Sequence, residues 1–218
     1  MTERVTEVRE ALFADGRAAE MFPVAIGLEE GLAVRDWVQR EGARRTLEAG
    51  LGYAISALFI LEGSVANGGD IRHVACDPYQ FQALPGHRTR YGGIGVERLE
   101  EAGIRELVEF YEEESQVVFP RLLAEGRTFD LAFLDANHRF EGVFLDLIYS
   151  GRLLKEGGIV FADDTQLPGV RRAVDFCLAN LGWTVEDEGA DGVLHEWLVL
   201  RTGSHGVYLR PFDAFVDF

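Results

Sequence analysis

Five short apolar runs, separated by longer stretches of helical periodicity, constrain this chain more than anything else in it. The runs are Arg45–Ala49, His73–Asp77, Leu107–Tyr111, Phe129–Asp135 and Gly158–Asp163. Helical spacing fills the intervals over Ala54–Glu62, Val96–Ala102, Gln116–Ala124 and Phe140–Leu154, and another helix is expected at Val170–Leu181. Such alternation predicts parallel strands joined by crossover helices. The end of the chain breaks the pattern. Trp183–Glu188 and Leu194–Arg201 flank a Gly-Ala-Asp-Gly stretch and read as an antiparallel hairpin. Two amphipathic helices are expected ahead of the first run. One is Glu3–Ala19, with Val5, Val8 and Leu12 at helical spacing; the other is Glu29–Gln39, with Leu32, Ala33 and Trp37 on one face.

In an open parallel sheet, ligands bind beyond the carboxyl ends of the strands. Glu48, Gly50 and Gly52 fall there, between the first strand and its helix. The glycines permit a tight turn and close approach of a ligand to backbone. A dinucleotide site calls for a third glycine or alanine three positions on, where this chain has Ile55. A carboxylate at Glu48 repels a pyrophosphate and attracts an ammonium or a sulfonium. S-adenosylmethionine carries both cations. Asp77, at the end of the second run, can accept hydrogen bonds from both ribose hydroxyls, or it can simply open a turn before Pro78.

Glu48, the two glycines, Asp77 and the terminal hairpin together resemble the Rossmann-like, class I S-adenosylmethionine-dependent methyltransferases, over about residues 29–201. The resemblance implies a doubly wound α/β fold. Its mostly parallel seven-stranded sheet would end in an antiparallel hairpin and carry helices on both faces. It also implies that Glu48, Gly50 and Gly52 hold the methionine part and Asp77 the ribose. Glu114, in Phe-Tyr-Glu-Glu-Glu-Ser-Gln, and the Ser115 backbone match the family's adenine contacts, although a solvated acidic turn accounts for the same residues.

Adjacent parallel strands would bring Asp135, Asp163 and Asp164 to one sheet edge. Carboxylates that converge without cations repel one another. A divalent ion relieves the repulsion, and oxygen-only ligands suit magnesium, calcium or manganese. Local roles stay open too: Asp164 or Thr165 as a turn or cap, and Asp135 bonded to backbone amides. These stretches resemble the metal-dependent O-methyltransferases related to catechol O-methyltransferase, including the Leu-Pro-Gly after the acidic pair. That resemblance implies Asp135, Asp163 and Asp164 as ligands of Mg2+ or another divalent ion. It also places Asp135 among the catalytic and cofactor-contacting groups. At the family's lysine base stands His138, which can act near neutral pH. His195 and His205 lack comparable context.

The chain has 37 acidic and 21 basic residues, a net charge of −16, which sets nucleic acid and acidic membranes aside as partners. Cys76 and Cys177 form no spaced framework, and no leader or membrane-length apolar run is visible, so a cytoplasmic protein is expected. The 218 residues suit a single methyltransferase domain: a helical segment at 1–40, a core at 44–201 and a tail at 202–218. A small hydroxylated acceptor is expected, and a homo-oligomer is compatible with the aromatic tail. The loop Phe81–Gly95 reads as a mobile lid. The rival readings are a metal-independent methyltransferase, a nicotinamide- or nucleotide-binding oxidoreductase, and a non-catalytic cofactor-binding subunit.

Overall fold

The computed structural model describes residues 2–21, 24–82, 91–190, 195–204 and 216–217. The chain forms two compact units, 1–114 and 115–218. The expected lid falls partly outside the described residues, as do the centre of the hairpin turn and most of the aromatic tail.

The first unit opens with α1 (Thr2–Ala14), α2 (Arg17–Met21) and α3 (Leu28–Arg40). The single helix expected over Glu3–Ala19 is broken. Gly16 takes φ +80, and the Asp15 carboxylate accepts from the Arg17 N–H, so a new helix starts there. Val5, Val8 and Leu12 are buried as their spacing predicts. On α3 the buried face is Glu30, Gly31, Val34, Trp37 and Val38, while Leu32 and Ala33 are only half-buried. The reason is α4 (Ile55–Asn67), which runs close alongside. A Cβ on Gly31 would sit 2.1 Å from the Phe59 ring, so that face must turn inward. Helix α4 is buried at every residue from Ile55 to Ser64, the mark of a helix enclosed on all sides.

Strands β1 (Arg45–Ala49), β2 (Arg72–Cys76) and β3 (Val108–Tyr111) pair in parallel, and α5 (Ile94–Glu101) precedes β3. Thr46 lies opposite His73, and Glu48 opposite Ala75.

The second unit contains α6 (Ser115–Ala124), β4 (Phe129–Leu134), α7 (Phe140–Leu153), β5 (Leu154–Ala162), α8 (Pro168–Asn180), β6 (Thr184–Ala190) and β7 (Glu196–Arg201). Strand β5 starts earlier than the expected Gly158. Its register against β4 shifts between Phe129 and Leu131, which accommodates Gly157 at φ +69. Strand β7 is antiparallel to both β5 and β6, as the hairpin reading requires. Among the described residues the strands form one seven-stranded sheet, in the order β3-β2-β1-β4-β5-β7-β6. Strands β2, β4 and β5 each end one residue before an aspartate, so Asp77, Asp135 and Asp163 stand just beyond the pleat.

Candidate active site

In the first unit, the chain leaves β1 through Gly50 at φ +94 and Gly52 at φ +48, both left-handed, and Ala54 follows at φ +59. No side chain caps α4, so the first amides of this helix face the turn without a side-chain acceptor. Asp77 closes the turn from β2. Its Oδ2 accepts from the Gly52 N–H at 2.8 Å and from Gln80 Nε2 at 2.9 Å, and its Oδ1 accepts from the Tyr79 N–H at 2.8 Å. A carboxylate offers about four acceptor sites, so one remains for a ligand hydroxyl. Gln80 also donates to the Gly52 carbonyl at 2.6 Å, so the N–H and carbonyl of Gly52 are held by two side chains that bond to each other. Arg98 of α5 donates to the neighbouring Tyr53 carbonyl.

Glu48 is fully buried. Its Oε1 accepts from the Ser56 hydroxyl, and its Oε2 lies 3.1 Å from His73 Nε2. His73 Nδ1 lies 2.9 Å from the Thr46 hydroxyl. The carboxylate is buried with both oxygens engaged, because β-pairing sets Thr46 beside His73 and places Glu48 on the same face. Thr46, Ser56, His73 and Gln80 carry no sequence signal of their own. Strand register brings Thr46 and His73 together, and α4 delivers Ser56.

In the second unit, Ser115 begins α6 and is buried, whereas Glu114 before it is exposed. Ser115 is hydrogen-bonded to Asp146 of α7. Burial pushes the Asp146 carboxyl up to about 7, although the Ser115 bond opposes the rise. Its Oδ1 has no hydrogen-bond partner. Asp146 lines one cavity with Asp135, His138 and Asp163.

The three aspartates are brought together as expected. Asp163 is buried and accepts the Asp164 N–H on Oδ1 at 2.6 Å. Asp164 holds φ +56, a conformation that aspartate tolerates better than most residues. His138 Nε2 lies 2.9 Å from Asp164 Oδ2 and 3.6 Å from Asp135 Oδ1. Burial and the charge of Asp163 raise the Asp135 carboxyl to about 7, and Asp164 adds to the rise while His138 counters it. Hydrogen bonds to Asp135 and Asp164 carry His138 up to about 10. Burial works against the charge on Asp164, but His138, Gln166 and His195 outweigh it and hold this carboxyl below its usual range. Gly169, in the Leu-Pro-Gly stretch, packs so closely that a Cβ would meet the His138 carbonyl at 2.6 Å. That contact fixes the turn bearing His138.

His195 completes the cluster, and the sequence reading passed it over. It is buried, with Nδ1 3.3 Å from Asp163 Oδ2 and 3.9 Å from Asp164 Oδ1. The bond to Asp163 raises it to about 9. The signal lay in the hairpin. An antiparallel strand begins where its parallel neighbour ends, so a residue just ahead of β7 lies beside the end of β5.

A parallel sheet with a reversed seventh strand, and an aspartate locked onto a glycine turn, is the layout of the class I S-adenosylmethionine-dependent methyltransferases, and this protein is an enzyme of that class. Residues 47–165 match the family model described as a methyltransferase domain, and the chain belongs to that family. Solved structures share the fold. The O-methyltransferase from Bacillus cereus, in complex with SAH, is 16% identical, with a TM-score of 0.71 and 91% of each chain covered. The O-methyltransferase TomG from Streptomyces achromogenes, involved in tomaymycin synthesis and in complex with SAM, is 19% identical. Its TM-score is 0.70, with 93% of this chain and 90% of that one covered. No curated protein matches the sequence. No described helix is long and apolar enough to cross a membrane.

Proposed function

We propose that the enzyme transfers the methyl group of S-adenosylmethionine to a hydroxyl oxygen of a small molecule, assisted by a divalent ion. The observation that carries this reading is the gathering of Asp135 and Asp164 around His138 at the ends of β4 and β5, with Asp163 lining the same cavity. Asp135, His138 and Asp164 each offer a donor atom, and these atoms lie within 4.8 Å of one another. The donor set fits the ion, because burial and the charges of Asp163 and Asp164 raise Asp135, and a cation relieves that repulsion. Asp135, Asp163 and Asp164 would hold it, and a bound divalent ion lowers the pKa of a coordinated hydroxyl.

The chain's own residues supply the rest. Gly50 and Gly52 let the cofactor approach the backbone, and the buried charge of Glu48 favours its cationic end. Asp77 takes a ribose hydroxyl, and Glu114 with Ser115 borders the adenine. His138 accepts the acceptor's proton once it is neutral. Alignment of nucleophile and methyl carbon is the protein's main contribution, because the sulfonium is already activated.

A second reading, metal-independent transfer, is favoured by one observation: His138 and His195 already lie against the carboxylates. Asp163→Ala separates the two. With metal assistance, the variant keeps its S-adenosylhomocysteine affinity within about threefold in calorimetry, yet loses at least about a hundredfold in transfer rate. Chelation should mimic the variant. Transfer that survives chelator in the wild type would favour the metal-independent reading.

A further inference from the structure

We infer that His195 is a nitrogen ligand in the metal site of Asp163 and Asp164, so that the resident ion is a divalent first-row transition ion rather than magnesium. This rests on the metal-assisted reading above and assigns the class of ion that the site takes.

Three observations meet here. First, the imidazole is held still. His195 is buried, and its neighbour Glu196 is pinned from both sides. The Glu196 carbonyl accepts from the Thr165 N–H at 2.7 Å and the Thr165 hydroxyl at 2.9 Å, and the Glu196 N–H donates to Gln166 Oε1 at 2.9 Å. Second, the spacings suit shared coordination. With bonds of about 2.1 Å, neighbouring donors of an octahedral centre lie about 3 Å apart and opposed ones about 4 Å apart. His195 Nδ1 stands 3.3 Å from one aspartate oxygen and 3.9 Å from another. His138, by contrast, has a half-exposed side chain on the turn after β4, which suits a group that meets the acceptor.

Third, Asp146 offers Oδ1 as a buried acceptor without a donor, in the cavity that Asp135 and Asp163 also line. A water on a metal ion is a donor of the kind this oxygen lacks, and ligand-bound waters are commonly held by such outer carboxylates. An imidazole among carboxylates shifts preference away from magnesium, which favours oxygen alone, towards the transition series.

The test uses Mn2+ added to the full chain, read by calorimetry and by electron spin-echo modulation from directly bound nitrogen. The wild type should bind Mn2+ more tightly than Mg2+ and show 14N modulation, replaced by a 15N pattern when only histidine is labelled. His138→Gln should keep the nitrogen signal. His195→Gln should lose it, and its Mn2+ affinity should fall more than about tenfold, with a smaller loss for Mg2+. If His195→Gln fails to fold, the labelled His138→Gln protein still decides. Mn2+ binding without nitrogen coupling overturns this inference and leaves the metal-assisted reading standing. A signal that disappears in His138→Gln overturns it in favour of the other imidazole. Absence of any ion binding removes both.

Discussion

The glycine turn of the first unit and the acidic turn of the second are both built just past strand ends, yet they manage charge in opposite ways. Around the glycine turn each carboxylate is matched internally. Asp77 accepts two backbone amides and a side-chain amide, and Glu48 has a hydroxyl and an imidazole. Around the acidic turn the charges crowd. Burial and the charges of Asp163 and Asp164 raise Asp135, His138 and His195 are raised by the carboxylates beside them, and Asp146 is buried with one oxygen unmatched. The first region is organised before any ligand arrives, which lowers the ordering cost of binding. The second has charge that a cation would balance under the proposed reading. Damage to the first should therefore appear in binding and stability, and damage to the second in chemistry and pH dependence.

The largest effect that sharpens this contrast belongs to Asp77→Ala. It strips the acceptor from Gly52, Tyr79 and Gln80 together and loosens the turn. We expect S-adenosylhomocysteine binding to weaken by about 1.5–3 kcal/mol, the worth of hydrogen bonds to a charged group, measured by calorimetry. Unchanged affinity would mean that the turn does not depend on its clamp.

A smaller effect is expected of Glu48→Gln. The amide fits the space but cannot accept from both Ser56 and His73 as the carboxylate does. Thermal or urea unfolding should show a loss of about 1–2 kcal/mol. Cofactor affinity should fall less than about tenfold, because the charge is buried with both oxygens engaged. A hundredfold loss of affinity with unaltered stability would instead put Glu48 in direct contact with the ammonium group and break the contrast.

The last concerns Asp146→Asn and is read from pH dependence. With its folded pKa raised to about 7, Asp146 keeps a proton that the unfolded chain gives up near its ordinary value. The folded state then binds more protons between these two values, so stability falls as pH rises from about 4 to about 7 and levels off above. Asparagine removes this slope and should leave the protein more stable at pH 8. Parallel urea titrations of both proteins from pH 4 to 8 would check it; identical slopes would show that Asp146 is not the source.

Much of this organisation was legible in the sequence, and for a physical reason. A buried parallel strand is a short apolar run, and the first polar residue after it marks the edge where ligands bind. Hence β1 falls where it was expected, and Asp77, Asp135, Asp163 and Asp164 stand at strand ends. The same logic missed what depends on neighbours in space. The inward face of α3 follows from the Phe59 ring beside Gly31, and the partners of Glu48, His73 and Ser56, reach it through strand register and helix packing. His195 could have been found by carrying the hairpin reading one step further, to the point where the reversed strand begins.

The bonds from Thr165 and Gln166 to Glu196 also order events in time. A ribosome makes the acidic pair some thirty residues before the strand that staples it. Until β7 emerges, Asp164 must hold its left-handed backbone without that brace, and His195 does not yet exist. The glycine turn spans a similar separation, 25 residues to Asp77 and 28 to Gln80, but its partners are all made by residue 80, long before β7. The nascent chain therefore has the means to shape its glycine turn well before its acidic turn, which is completed only when the last strand is made.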